Sequence, residues 1–434
     1  MLKVIELFSG IGSQAKALER LHKDRGLEFE IVGTSDIDKD AIVSYATIHN
    51  GLTKEMIDDY TFPKDRQSMA DFLKMLNIGY DFQKDKPYNW DRLVSSKEKH
   101  LEKYYLATIL SKQLGDISKI SSLPDCDLLI YSFPCTDIST AGLQKGFKED
   151  ANTRSGLVWQ VLRLLNNKIE NEKPLPKYLL MENVRNLVSN TFINDFNLWI
   201  GKLAEIGYVT YYAVLNSKDF GVPQNRERVF AISILNDNNG YEFPKPIKLD
   251  KVLKDLLETD VDEKYFISLK GIEYTLNPKR LGKYTNVNPD VSMPCTAVGQ
   301  NNWTGTFITE EYENCVETGT LKGGKWDKTH EESRRVYGTN GIANLLREDG
   351  GFGATGVIEI QGIKYKIRKL TPLECIRLMD FDDEDFYKIK EIGMSDSQIY
   401  KQCGNSIVVS CLYHIFRKLF VDTEKEQITF FELE

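Results

Sequence analysis

Several things are scarce in this 434-residue chain, and each scarcity excludes a class of protein. No apolar run approaches the ~18 residues that a membrane span needs. The amino terminus, MLKVIELFSG, goes straight into a strand without a signal peptide. The seven cysteines contain no C-x-x-C pair, and the five histidines are scattered, which disfavours a structural zinc site. An odd, irregularly spaced set of cysteines also argues against a disulfide framework and for a reducing, cytoplasmic location. The dinucleotide pattern G-x-G-x-x-G is missing, because Ala15 stands at its last position, so a nicotinamide cofactor is disfavoured. Positive charge is in deficit, with a net charge of −8. That argues weakly against a nucleic-acid partner, although a basic cleft can sit on an acidic body.

What is present reads as soluble and globular, 41% hydrophobic and 28% charged. The length exceeds one compact core and suits two domains. The most informative stretch is DLLIYSFPCTDIST, residues 127–140. An apolar run of strand length, Asp127 to Tyr131, ends in Ser132-Phe133-Pro134-Cys135, where proline fixes the backbone just before a thiol. The carboxyl ends of parallel strands are where open α/β sheets bind their ligands. Taken alone, Cys135 reads as a nucleophile or as a small buried apolar residue.

Residues 3–8 read as a buried first strand, followed by Ser9-Gly10-Ile11-Gly12-Ser13 and a helix with Ala15, Leu18 and Leu21 on one face. Glycines there either let a cofactor approach the backbone or simply make a tight turn. A second strand, Glu30 to Ser35, ends at Asp36, where nucleotide sites hold ribose hydroxyls. Residues 51–114 read as an insertion packed on the main domain, with a surface helix from Trp90 to Leu114. Gly115-Asp116-Ile117 precedes the Cys135 strand. After Cys135, Gly142 and Gly146 mark a loop, and a helix from Ser155 to Ile169 follows. The strand Lys177 to Met181 then ends in Glu182-Asn183-Val184, and Glu182 reads as functional, capping or salt-bridging. Strands at 208–220, apolar or aromatic from Tyr208 to Leu215, and at 229–234 flank Gln224-Asn225-Arg226-Glu227-Arg228. Alternation puts Gln224, Arg226 and Arg228 on one face, where a carboxylate or a base edge would serve them. Asn236 to Pro246 has boundary composition, and from there to about residue 366 glycine is frequent and helical periodicity fades. Within that loop-rich region KGGKWDKTHEESRR (322–335) sets Lys322, Lys325, Lys328, Arg334 and Arg335 around Trp326. It reads as a DNA-facing patch or a solvated charged loop. Regular structure resumes where Thr371 and Glu374 form a capping box, and a last apolar helix covers Ile407 to Phe420.

With these segments in view the chain resembles the DNA cytosine-5 methyltransferases. The resemblance rests on LFSGIG (7–12), Asp36, GDI (115–117), SFPC (132–135), ENV (182–184), QNRER (224–228), RKLTPLE (368–374) and GNSIV (404–408), in the family's order. The runs LQKG…NTRSGL (143–157) and KYLLMEN (177–183) look especially like the mycoplasma-type CpG enzymes, a likeness visible only in the catalytic half. The family implies an α/β fold, a doubly wound and mostly parallel sheet that binds S-adenosylmethionine, plus a smaller, loop-rich target-recognition domain. The expected division is 1–243 for the catalytic and cofactor-binding domain, 244–366 for target recognition, and 367–434 for the return of the chain.

Carried over position by position, Phe8, Gly10 and Gly12 line the cofactor site, together with Ile117 and Pro134. Asp36 holds the ribose, Ile37 lies against the adenine, Asp116 meets the adenine amino group, and Asn405 and Ser406 close over the methionine end. Cys135, Glu182, Arg228 and Arg226 form the catalytic set. Ser139, Gln224, Lys322, Lys325, Arg334 and Arg335 are the expected DNA contacts. The partner implied is double-stranded DNA, bound by a monomer without membrane contact in a bacterial or phage system that can include a separate restriction endonuclease. The product of the cofactor is S-adenosylhomocysteine. Thr136 and Ala141 depart from the family's usual Gln and Ser. Ala343-Asn344-Leu345-Leu346 replaces its P-T-L-T, and a related run, Pro294 to Val298, comes earlier.

The rivals are a transfer-RNA methyltransferase of the same fold, a catalytically silent homologue, and a metal or redox protein. The roughly 120 residues between Pro246 and Arg368 speak against the first. Intact Cys135, Glu182 and Arg228 speak against the second, and cysteine spacing against the third.

Overall fold

The structure, a computed structural model, describes residues 1–81, 86–139, 146–147, 154–297, 299–300, 303–311, 335–338, 341–347, 356–360 and 363–422. For 269, 335–338, 341–347, 356–360 and 363–364 it describes the backbone. Among the described residues no helix is long and apolar enough to cross a membrane.

The chain opens with β1 (Leu2–Leu7), α1 (Ser13–Arg25), β2 (Phe29–Ser35) and α2 (Lys39–His49). The insertion supplies α3 (Lys54–Asp59), α4 (Arg66–Met75), α5 (Asp91–Val94) and α6 (His100–Leu110). Then come β3 (Leu128–Tyr131), α7 (Val158–Glu170), β4 (Tyr178–Val184), α8 (Ile193–Glu205), β5 (Tyr208–Asn216) and β6 (Glu227–Leu235). These six strands make one sheet in the order β2-β1-β3-β4-β6-β5. The first four run parallel, while β6 is antiparallel to both of its neighbours.

Both faces of this sheet are covered, and strand periodicity shows why. In β3, Leu128 and Ile130 join a core with Leu18 and Leu21 of α1, Ile42 of α2 and the carboxy-terminal helices. Leu129 and Tyr131 point the other way, into a core with Val161 and Leu165 of α7 and Trp199 and Leu203 of α8. Each fully buried aliphatic side chain contributes about 2 kcal/mol, so the continuous apolar run of β3 specifies a central strand. The doubly wound expectation is met.

The loop-rich region carries α9 (Leu269–Thr275), β7 (Thr285–Val287), β8 (Gly305–Glu311), β9 (Arg335–Gly338), β10 (Gly341–Arg347), β11 (Gly356–Ile360) and β12 (Ile363–Lys369). Its strands form a second sheet, β7-β8-β12-β11-β10-β9, antiparallel except for β7 with β8. A small core of Ile267, Ile272, Phe307 and Ile367 lies beneath it. Strand β12 delivers Arg368, 1% exposed, whose guanidinium makes two 2.9 Å bonds to the fully buried Glu374 carboxylate. That pair fastens the second sheet to α10 (Pro372–Leu378), where Thr371 and Glu374 close the expected capping box. The chain finishes with α11 (Asp383–Glu391), α12 (Asp396–Asn405) and α13 (Val409–Phe420), and α13 returns to pack on α1.

The expected helix from Trp90 to Leu114 is two helices, because the polar run Ser95-Ser96-Lys97-Glu98 has no apolar side chain to bury. Nor is it a surface feature: Trp90, Leu101 and Leu106 are at most 1% exposed.

Candidate active site

Beyond Tyr131 the chain leaves the sheet, and the Cys135 carbonyl accepts the N–H groups of Ile138 and Ser139, curling the backbone into a turn. Four side chains pin this turn. Asn183 donates to the Phe133 carbonyl at 3.0 Å, and Asn186 donates to that of Ile138. Ser155 donates to the Pro134 carbonyl at 2.6 Å, while the Asp137 carboxylate accepts from the Arg154 and Ser155 amides. The loop that leaves after Cys135 is thus closed at its base, and Cys135 itself is held on a rigid footing. Asn183, Asn186, Asp137 and Ser155 were given no role in the sequence, although Asn183 stands in E-N-V, Asp137 in DLLIYSFPCTDIST and Ser155 in NTRSGL.

Glu182 sits within β4, whose pairing with β6 places Val184 opposite Arg228. The Arg228 Nε lies 3.1 Å from the Glu182 carboxylate. Burial pushes the Glu182 carboxyl above its usual range, and Arg228 and then Arg226 pull it back. Burial also raises the Cys135 thiol, and the nearby Glu182 charge raises it further, while Arg228 and Arg226 oppose both. Sulfur, carboxyl and two guanidinium groups therefore share one electrostatic environment at neighbouring strand ends.

Arg226 is 2% exposed and is spent on backbone carbonyls. Its NH1 donates to Cys295 at 2.8 Å, and its NH2 to Gly404 at 2.9 Å and Ser406 at 2.8 Å. It ties the Cys135 neighbourhood to the segment before β8 and to the end of α12. Gln224 was expected to contact DNA. It is fully buried, donating to the Leu378 carbonyl and accepting from the Cys295 amide. Ser139 is half-buried in the turn after Cys135. Lys322, Lys325 and Arg334, along with Lys328, Trp326 and Ala141, lie outside the described residues, and Arg335 begins β9, where only its backbone is described.

On the other side of Pro134, the loop after β1 runs through positive φ at Phe8 (59°), Gly10 (54°) and Gly12 (80°). A side chain at Gly12 would strike the His49 and Tyr45 rings, at 2.4 and 2.7 Å, so glycine is required there. A non-glycine residue such as Phe8 holding positive φ stores strain, which persists where the surroundings enforce it. Gly12 caps α1 without a side-chain hydrogen bond, leaving the helix amides facing the loop. The Asp36 carboxylate accepts from the amides of Gly10 (2.8 Å), Ile37 (2.7 Å) and Asp38 (2.8 Å). Burial, then the Asp38 charge, pushes it up to about 6. Ile37 is half-buried, Ile117 is 3% exposed, and the Asp116 carboxylate accepts from Asn77 at 2.7 Å and from Ser118 at 2.9 Å. Asn405 is exposed, and the buried Ser406 hydroxyl donates to the Gln402 carbonyl.

The Ser9 and Ser132 hydroxyls, after β1 and after β3, are buried without a hydrogen-bond partner among the described residues. Orphaned polar groups, an acidic residue after β2 and an uncapped helix start fit a ligand with ribose hydroxyls and an α-carboxylate, as S-adenosylmethionine has.

Comparison with known proteins points the same way. The family described as C-5 cytosine-specific DNA methylase matches residues 2–80 and 92–421. A type II methyltransferase of Lactococcus lactis subsp. cremoris, M2.ScrFI, is 36% identical over 422 residues, spanning 97% of this chain and 99% of that protein. The orphan methyltransferase M.SssI of Spiroplasma monobiae is 33% identical over 426 residues, 96% of this chain and 97% of the relative. The expected mycoplasma-type likeness is therefore present, and it runs through the loop-rich region as well. Among solved structures, the S. pombe Dnmt2 methyltransferase shares the fold, with a TM-score of 0.54 at 18% identity over 98% of this chain and 99% of that one.

Proposed function

Because the chain belongs to the C-5 cytosine-specific DNA methylase family, we propose that it methylates carbon 5 of a flipped-out cytosine in a specific double-stranded DNA sequence, as the modification enzyme of a bacterial or phage system. The observation that carries this reading is the meeting of Cys135 with the Glu182–Arg228 pair, 3.1 Å apart, at adjacent strand ends. Residues 1–243 with 367–434 would form the catalytic domain and 244–366 the target-recognition domain.

The chemistry follows from these side chains. Carbon 5 of cytosine is a poor nucleophile until a group adds at carbon 6. Cys135 adds there as a thiolate, giving its proton to solvent or a nearby base. Glu182, whose neutral form burial favours, donates a proton to ring nitrogen 3 and neutralises the charge that attack creates. Arg228 orients Glu182 and binds the ring carbonyl. Phe8, Gly10, Gly12, Asp36, Ile37, Asp116, Ile117, Pro134, Asn405 and Ser406 would hold S-adenosylmethionine, whose sulfonium supplies the electrophilic methyl group. Loss of the carbon-5 proton to a base then expels Cys135. A stacked base cannot reach the thiol, so the target leaves the duplex.

The test is to express the chain in cells lacking cytosine methylation and map 5-methylcytosine by bisulfite sequencing. Methylation at one recurring sequence is expected. With duplex DNA carrying 5-fluorocytosine in that sequence, the protein should form a denaturation-resistant adduct that Cys135→Ser abolishes. An adduct that survives the substitution removes Cys135 from the mechanism.

A further inference from the structure

The insertion does more than pack on the main domain. Helix α4 ends in a turn whose Asn77 holds φ +54°, with the Ile78 amide donating back to the Leu73 carbonyl at 3.1 Å. Asparagine suits that left-handed position after a helix, next to glycine. This cap is strapped to the two loops beside the proposed cofactor site, after β2 and before β3. The Gly79 amide donates to the Ile37 carbonyl at 2.7 Å, and the Asp116 amide donates to the Leu76 carbonyl at 2.9 Å. Trp90, 1% exposed, braces it from behind by donating to the Ile78 carbonyl at 2.9 Å. A Cβ at Gly115 would fall 2.4 Å from the Leu76 carbonyl oxygen, so the two segments are in backbone contact.

The Asn77 side chain reaches across this junction, and its amide nitrogen lies 2.7 Å from Asp116 Oδ2. Asp116 Oδ1 accepts from the Ser118 amide and hydroxyl, both at 2.9 Å. Both carboxylate oxygens are thus aimed by neighbours, and Oδ2, with one bond from Asn77, has capacity for a second donor. We infer that Asn77 is a positioning residue for the base of the cofactor: it turns Asp116 so that Oδ2 takes the exocyclic amine of adenine, and the α4 cap is a wall of the adenine pocket. The inference rests on the cofactor reading given above. It gives the insertion a share in the site, although the sequence between residues 51 and 114 carries no catalytic motif.

Asn77→Gly tests this cleanly, because glycine keeps the left-handed cap and deletes only the amide. Binding of S-adenosylhomocysteine and of its analogue lacking the 6-amino group would be measured by calorimetry on the full-length wild type, Asn77→Gly and Asp116→Asn. The wild type should prefer the amino-bearing ligand about tenfold, and Asn77→Gly should lose most of that preference while binding the analogue as the wild type does. The KM for S-adenosylmethionine should rise with little change in kcat or in the KM for DNA. Equal weakening of both ligands would mean general damage to the pocket, and an unchanged preference would mean that Asn77 does not aim Asp116; either overturns the inference. A wild type that binds neither ligand overturns the cofactor reading itself, whereas loss of preference in Asp116→Asn alone leaves that reading standing and removes Asn77 from it.

Discussion

A carboxyl group that must donate a proton at neutral pH has to be kept from ionising, and Glu182 is under two opposed influences. Burial favours its neutral form, while Arg228, 3.1 Å away, and Arg226 favour the anion. Replacing Arg228 with Gln removes one of the opposing charges, so both the Glu182 carboxyl and the Cys135 thiol move upward. The acid form of Glu182 then persists to higher pH, but the thiolate becomes scarcer. The expected outcome for Arg228→Gln is slower adduct formation at pH 7 with the rising limb of the pH–rate profile displaced to higher pH. Glu182→Gln should slow transfer by about two to four orders of magnitude with cofactor affinity nearly intact. Single-turnover rates from pH 6 to 9 distinguish these effects, and an Arg228→Gln profile that is lower but not displaced would mean the arginine only binds the base. At this scale the sequence was legible where short motifs carry chemistry: Cys135, Glu182 and Arg228 are grouped as expected. It was not legible for Gln224, whose partner Leu378 lies 154 positions away. Alternation along an extended segment says which side chains share a face, not whether that face meets solvent or another part of the chain.

Elements were read best where apolar runs are long. The expected strands 30–35 and 229–234 lie within two residues of β2 and β6 at each end, while the strand expected over 208–220 stops at Asn216, where Ser217–Phe220 turns into a short 3-10 helix. The second sheet was legible only as a glycine-frequent, loop-rich region, because its pairing joins strands far apart in sequence and leaves little local periodicity. How such elements are joined is visible at Gly404, near the end of α12. A Cβ there would lie 2.0 Å from the Ala297 nitrogen and 2.2 Å from the Thr296 carbonyl carbon, both backbone atoms that no rotamer change can move. Gly404→Ala should therefore cost about 1–3 kcal/mol or more in overpacking and loosen the Arg226 bonds to Cys295 and Gly404. Gly201, on α8 with nothing within 4 Å of its would-be Cβ, is the contrast. Gly201→Ala should be neutral or stabilise by up to about 1 kcal/mol, since alanine is the better helix former. Urea unfolding of both variants checks the pair, and equal effects would mean that the 296–297 backbone yields without loss.

At the scale of the whole molecule, the two ends of the chain are locked together. Lys16 of α1 bridges Asp382 and Asp385, each at 2.7 Å, and Arg20 bridges Asp380 at 2.6 Å. Beneath α1 lies Glu6, fully buried in β1, accepting the Tyr45 hydroxyl at 2.7 Å, with His49 held between Glu19 and the Ile11 carbonyl. Burial pushes the Glu6 carboxyl up to about 7, against the pull of Tyr45 and His49. The folded protein therefore holds a proton that the unfolded chain gives up near 4.5. This contribution to stability is fully present below that value and is lost as pH rises through about 7. Glu6→Gln preserves shape, and its amide oxygen still accepts from Tyr45, but it carries no charge at any pH. Relative to the wild type, the variant should gain stability as pH rises from 5 to 8, by up to about 3 kcal/mol from a shift of this size. Urea midpoints at several pH values measure that difference. A flat difference would mean that Glu6 is already ionised in the folded state, sustained by His49.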